Sequence, residues 1–149
     1  MITAIVGAIL LFLVVAVVVA IARDRGPGPD DVAVAYELAW DRLDFEALFT
    51  VSGPPLRDGL DRRGFVSAKR AAYQQQHALT GLTERVGVAE MAVGHAAAVV
   101  VTTVELRDGS VVHNRLELVR RSGHWEVVAY RLVPAEGSAP ADGAAATGG

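Results

Sequence analysis

The longest apolar run of the chain comes first. Residues 2–22, ITAIVGAILLFLVVAVVVAIA, contain no charge, no proline and nothing more polar than Thr3. As a helix rising about 1.5 Å per residue, the run is about 31 Å long, the thickness of a bilayer's hydrocarbon core. It predicts a transmembrane anchor at 1–22. A cleaved signal peptide would need a basic segment ahead of a shorter apolar run. No Lys or Arg precedes this one, although Ala20-Ile21-Ala22 imitates a cleavage site. Arg23 and Arg25 follow the run, against only the terminal amine before it. The positive-inside rule then leaves the rest of the chain in the cytoplasm. Two arginines are a small bias, so an extracytoplasmic domain is the alternative.

Residues 23–30 form a linker in which Gly26-Pro27-Gly28-Pro29 stops the helix. It is short, and holds the rest of the chain near the membrane surface. Asp30-Asp31 then supplies acidic caps for a new helix. Val32, Tyr36, Ala39 or Trp40, and Leu43 fall on one face of that helix, with Val34, Glu37, Asp41 and Asp44 on a mostly acidic opposite face. A second, shorter helix starts at Asp44-Phe45-Glu46, carries Phe45, Leu48 and Phe49, and ends at Gly53-Pro54-Pro55. After a charged connector, a third helix is predicted over 62–77. Its inner face is Phe65, Ala68, Ala72 and Tyr73, with Lys69 and Arg70 facing water.

From Glu84 the helical period gives way to β-branched runs between turn signals, predicting strands at 84–95, 97–107, 111–121 and 124–133. Asp108-Gly109 and Ser122-Gly123 mark hairpin turns. Helices followed by an antiparallel meander make an α+β fold for residues 31–133. Register follows from collecting apolar residues on one face. A loop through Ser110 pairs Leu106 with Val112, Val104 with Asn114, Thr102 with Leu116 and Val100 with Leu118. The Ser122-Gly123 turn pairs Leu118 with Val127, Leu116 with Ala129 and Asn114 with Arg131, and adds Trp125 to the inner face. Glu105, His113, Arg115, Glu117, Glu126 and Tyr130 then face outward. Residues 134–149, rich in Ala and Gly, cannot bury a core and predict a disordered tail.

Composition narrows the chemistry. The 149 residues hold no cysteine, which removes disulfides, thiol catalysis and Cys-ligated metals. A net charge of −3 with interspersed signs does not fit nucleic-acid binding. One lysine stands against thirteen arginines, a usage typical of high-GC bacterial genomes. His77, His95, His113 and His124 lack metal-ligand spacing, and no phosphate-cradling glycine motif or nucleophile elbow occurs. No metal and no cofactor is expected. Tyr36, Trp40 and Tyr73 are candidates for an aromatic pocket wall, against plain core packing with polar tips at the rim. Thr102, Asn114 and Arg131 are the polar members of the inner sheet face. Asn114 and Arg131 suit a ligand oxygen or carboxylate, against a snorkelling arginine and a backbone-bonded amide. Asp41 and Asp44 form a candidate carboxylate pair, against a solvated face and a helix cap.

The order helix, short helix, connector, helix and four-strand meander resembles the cone-shaped nuclear-transport-factor-2-like superfamily, which includes polyketide-cyclase-like (SnoaL-like) and ketosteroid-isomerase-like proteins. The resemblance rests on Ala35-Tyr36-Glu37-Leu38-Ala39-Trp40 running on to Leu43-Asp44-Phe45, and on the closing Ser122-Gly123-His124-Trp125-Glu126-Val127-Val128. It covers about residues 31–133. It implies a cone with an internal pocket, and Tyr36 is similar in position to the tyrosine that enzymatic members use. No cavity-facing Asp or His matches that pattern.

The expectation is therefore a single-pass membrane protein presenting a non-catalytic domain that binds a small apolar ligand or a protein partner. Its pocket residues are Tyr36, Trp40, Tyr73, Thr102, Asn114, Trp125 and Arg131, with no catalytic residue assigned. The alternatives are a tethered isomerase or cyclase using Tyr36 and a nearby carboxylate, and an interaction module forming a homodimer through its sheet.

Overall fold

The computed structural model describes residues 13–16, 26–75 and 80–134. Residues 13–16 are helical and exposed. The rest of the predicted anchor lies outside the described residues, as do the end of the third predicted helix and the tail beyond 134. Among the described residues no helix is long and apolar enough to cross a membrane.

The described residues from 26 onward form an α+β unit. Helix α1 spans Pro29–Asp41, α2 Phe45–Val51 and α3 Arg62–Tyr73, with a 3-10 turn at Pro54–Leu56 between α2 and α3. Strands β1 (Thr83–Val93), β2 (Ala97–Leu106), β3 (Val111–Arg121) and β4 (His124–Val133) form one antiparallel sheet in sequence order. Helix α1 begins with proline in its first turn, where a missing N–H does no harm. Gly28, not Asp30, is the N-cap, and Asp31 reaches back to accept the Gly28 N–H at 3.1 Å. Asp44 caps α2 by accepting the Ala47 N–H at 3.0 Å, and Asp61 caps α3 by accepting the Gly64 N–H at 2.8 Å.

The helices pack on one face of the sheet. Ala33, Tyr36, Phe45, Leu48 and Phe65 meet Ala98, Val100, Leu116, Leu118 and Val127 in a single core. Helix α1 lies against β1, β2 and β4, while α2 and the 3-10 turn contact β4. The inner face of α3 is Phe65 and Val66 with Lys69 and Tyr73 half-buried. Ala68 and Ala72, expected inside, are exposed. That face fills the gap beside Phe49 and Trp40, which calls for larger side chains than alanine.

Two details of register differ from expectation, and both matter for the site. The β2–β3 loop has three residues, as expected, but they are 107–109 and not 108–110. Leu106 N–H donates to the Ser110 carbonyl at 2.9 Å, and Gly109 takes the left-handed position at φ 85°. Asp108 fixes this turn by accepting both the Ser110 N–H at 2.8 Å and its hydroxyl at 2.6 Å. Pairing therefore slides by two residues and faces are kept: Val104 opposes Val112, Thr102 opposes Asn114, and Val100 opposes Leu116.

The β3–β4 pairing starts as expected, with Leu118 opposite Val127, and then shifts between Glu117 and Leu118. An extra β4 residue, Val128, is accommodated there as a bulge. Beyond it Leu116 opposes Tyr130, Asn114 opposes Leu132, and Arg115 opposes Arg131. Tyr130 turns inward and Arg131 outward, the reverse of expectation. The bulge lies where the segment after α2 meets β4. Gly53 N–H donates to the Val127 carbonyl at 2.7 Å, and a Cβ on Gly53 would come within 2.9 Å of Val128 Cγ1.

Candidate functional site

The slide in register places Thr102 and Asn114 side by side on the inner sheet face, both buried. Helix α1 lays Glu37 directly over them. Glu37 is only 7% exposed, and its Oε1 accepts from Thr102 Oγ1 at 2.6 Å and Asn114 Nδ2 at 3.0 Å. Thr102 Oγ1 also lies 3.4 Å from the Asn114 carbonyl oxygen. Burial pushes the Glu37 carboxyl above its ordinary value, and the bonds from Thr102 and Asn114 pull it partly back. The Asn114 Oδ1 atom is buried without a hydrogen-bond partner.

Beside this triad stand two phenols. Tyr36 precedes Glu37 on α1, and its ring lies 5.3 Å, centroid to centroid, from that of Tyr130 on β4. Burial raises the pKa of Tyr36; the Trp40 side chain lowers it in part and the Glu37 charge raises it further. Tyr130 is raised by burial first, then by Glu37 and Tyr36, with Asn114 acting the other way. Both hydroxyls therefore stay protonated, as hydrogen-bond donors, throughout the neutral range.

The phenols form one wall of a cavity of about 210 Å³ between α1, the segment after α2, α3 and β4. Trp40, Phe65, Ser52 and Lys69 complete most of the lining. Glu37 lies behind Tyr36 and is not part of it. A larger open groove of about 830 Å³ runs along the outer side of α3 past Glu46, Arg62 and Arg70. It has no buried polar group aimed into it, so the smaller cavity is the better candidate site.

The expected pocket residues are thus divided. Tyr36 and Trp40 line the cavity. Thr102 and Asn114 lie beneath it, engaged with Glu37. Tyr73 packs on Trp40 and Phe45, with ring centroids 5.6 and 5.9 Å away, and borders a separate cleft beside Arg42. Trp125 sits at the far end of the sheet, under Arg120 and next to the linker residues 26–29. Arg131 projects to the outer face, 3.6 Å from Glu117, because the bulge reverses its side.

Neither Asp41 nor Asp44 faces the cavity. Asp41 Oδ1 accepts the Thr83 N–H at 2.9 Å, tying the end of α1 to the start of β1, and Asp44 is the α2 cap. The inner face is not devoid of acid–base groups, as the sheet alone suggested, because α1 supplies Glu37. A signal for it exists in the sequence. Ala33, Tyr36, Glu37 and Trp40 follow i, i+3, i+4, i+7 spacing, so Glu37 sits within an otherwise buried stripe. Tyr130 had no such signal, since its side depends on the bulge. Among the described residues, no three His, Asp or Glu side chains cluster as a metal site would require.

No family model and no curated protein sequence matches the chain. Solved structures are similar to it at low identity. A SEC-C motif-containing protein from Rhodopseudomonas palustris is 16% identical, with a TM-score of 0.49, over 70% of this chain and 77% of its own. An NTF-2-like protein of unknown function from Silicibacter pomeroyi is 16% identical, with a TM-score of 0.45, over 68% of this chain and 90% of its own. A protein from Kribbella flavida is 16% identical, with a TM-score of 0.39, over 69% of this chain and 83% of its own.

Proposed function

We propose that this chain is a single-pass membrane protein whose cytoplasmic domain, a cone of the nuclear-transport-factor-2-like kind, binds a small, largely apolar ligand in the cavity that Tyr36 and Tyr130 wall on one side. The observation that carries the reading is the cavity of about 210 Å³ walled by two phenols, Trp40 and Phe65. Aromatic faces supply apolar contact, and protonated hydroxyls supply a few directed hydrogen bonds. The volume lies below the range of about 300–1,000 Å³ typical of drug-sized ligands, which suits a single-ring molecule. The uncharged apolar run 2–22 and the arginines after it support the membrane and cytoplasmic assignments.

Binding is favoured over catalysis because the one buried carboxylate among the described residues stands behind the phenols and its Oε1 already accepts two hydrogen bonds. The test is an NMR titration of the full chain in lipid nanodiscs with single-ring aromatic compounds. Shifts confined to Tyr36, Trp40, Phe65 and Tyr130 are expected. A spectrum unchanged up to millimolar ligand rejects the reading. Phosphatase activity from a reporter fused after Val133 would reject the cytoplasmic side.

A tethered isomerase or cyclase is the second reading, and Glu37 favours it: a desolvated carboxylate beside two phenols can move a proton while a hydroxyl polarises a carbonyl. Turnover of a steroid- or polyketide-like ketone that is lost in Glu37→Gln would replace the binding reading with this one.

A further inference from the structure

We propose that the cavity walled by Tyr36 and Tyr130 selects a small aromatic carboxylic acid, held with its ring against the phenols and its carboxylate on Lys69. The proposal rests on the ligand-binding reading above and adds the charge and direction of the ligand.

Lys69 is the only lysine of the chain. Its ammonium lies 5.6 Å from the Trp40 ring centroid and 5.4 Å from that of Phe65, half-buried on the cavity wall. Two aromatic faces hold the charge in place, an arrangement that reduces the entropy lost when a ligand binds it. Six arginines of the domain, Arg57, Arg62, Arg85, Arg115, Arg121 and Arg131, each lie within 4.0 Å of a carboxylate. Lys69 has no such partner among the described residues. Asp58 also lines the cavity, but it is exposed and forms no ion pair with Lys69. An unpaired cation on the wall of an aromatic cavity is a ready contact for an anionic group.

Direction follows from the other end. Glu37 lies behind the phenols, so a carboxylate pointing inward would approach a second carboxyl group that is buried and already accepts two hydrogen bonds. Pointing outward, it meets Lys69. The ring then lies against the wall that Tyr36 and Tyr130 form, with Phe65 also in the lining.

The probes are 4-hydroxybenzoate and its neutral methyl ester, titrated calorimetrically into the full chain in phosphatidylcholine nanodiscs at low salt. The acid is expected to bind about tenfold more tightly than the ester, the effect of one charge-assisted hydrogen bond. That preference should vanish in Lys69→Met and persist in Lys69→Arg. Equal binding of acid and ester, or a preference that survives Lys69→Met, overturns the proposal while the cavity reading stands. Failure of both probes to bind the unmodified chain removes both. Should Lys69→Met not fold, the comparison of acid and ester on the unmodified chain decides the matter, with the acid's advantage expected to shrink as salt is raised.

Discussion

The two faces of the sheet solve the same problem, where to put charged and polar side chains, in opposite ways. On the outer face Arg131 and Arg115 both approach Glu117, at 3.6 and 3.7 Å, with every partner at least 39% exposed. Water screens these charges, and holding them together contributes little. On the inner face one carboxylate, Glu37, is removed from water and compensated by two neutral donors, Thr102 and Asn114. A hydrogen bond that is nearly free to break outside becomes expensive to break inside, because nothing replaces it. The lesson is that the charge count of this chain says little about which charges matter. Burial decides.

That contrast can be broken at four points. The largest effect is expected from Leu116→Ala, which empties a fully buried position on the inner sheet face, two residues along β3 from Asn114. Such truncations cost about 2–5 kcal/mol, and urea unfolding of the full chain measures it. A loss under about 1 kcal/mol would mean that the core is looser here than its burial indicates. Next comes Glu37→Ala, which leaves the Thr102 hydroxyl and the Asn114 amide buried without their acceptor and should cost about 2 kcal/mol. Glu37→Gln keeps an acceptor oxygen and should cost less. Equal losses in the two variants would show that the triad is not held by hydrogen bonds.

The third point is pH. Burial raises the Glu37 carboxyl above its ordinary value of 4.5 in the folded chain, so between that value and the folded one the native state holds the extra proton. Stability must then fall as pH rises through this window and be fully restored below it. The stability of the unmodified chain relative to Glu37→Gln should therefore decline with rising pH. A difference independent of pH would place Glu37 in water, and one that rises would mean that the bonds from Thr102 and Asn114 outweigh burial. The smallest effect belongs to the outer face: Arg131→Ala should change stability by no more than about 0.5 kcal/mol. A larger loss would mean that the outer network is covered in the intact protein.

Much of the architecture is legible along the chain. The alternation from residue 84 onward, the Gly109 and Gly123 turns and the stripe of Tyr36 and Trp40 correspond to the observed strands, hairpins and helix face. The site is less legible. Thr102 and Asn114 read as inner-face residues, but their partner does not, because a glutamate on an amphipathic helix is ordinarily assigned to water. Its place in the run Ala33, Tyr36, Glu37, Trp40 was the available clue. Arg131 and Tyr130 exchange sides through one bulged residue, and alternation cannot locate a bulge when both neighbouring residues, Val127 and Val128, are apolar. Lys69, read as solvent-facing, is drawn against Trp40 and Phe65 by packing of α3 that helical period alone leaves free to rotate.

What the sequence by itself determined is the set of elements and which sides of most of them are apolar, because backbone periodicity and turn stereochemistry act over a few neighbouring residues. Tertiary structure alone decided that Glu37 would be buried, that Tyr130 would join Tyr36, and that the sole lysine would line the same cavity as the two phenols. Each of these depends on how a helix or strand is offset against another, and such offsets are set by the shapes of distant side chains meeting in one core.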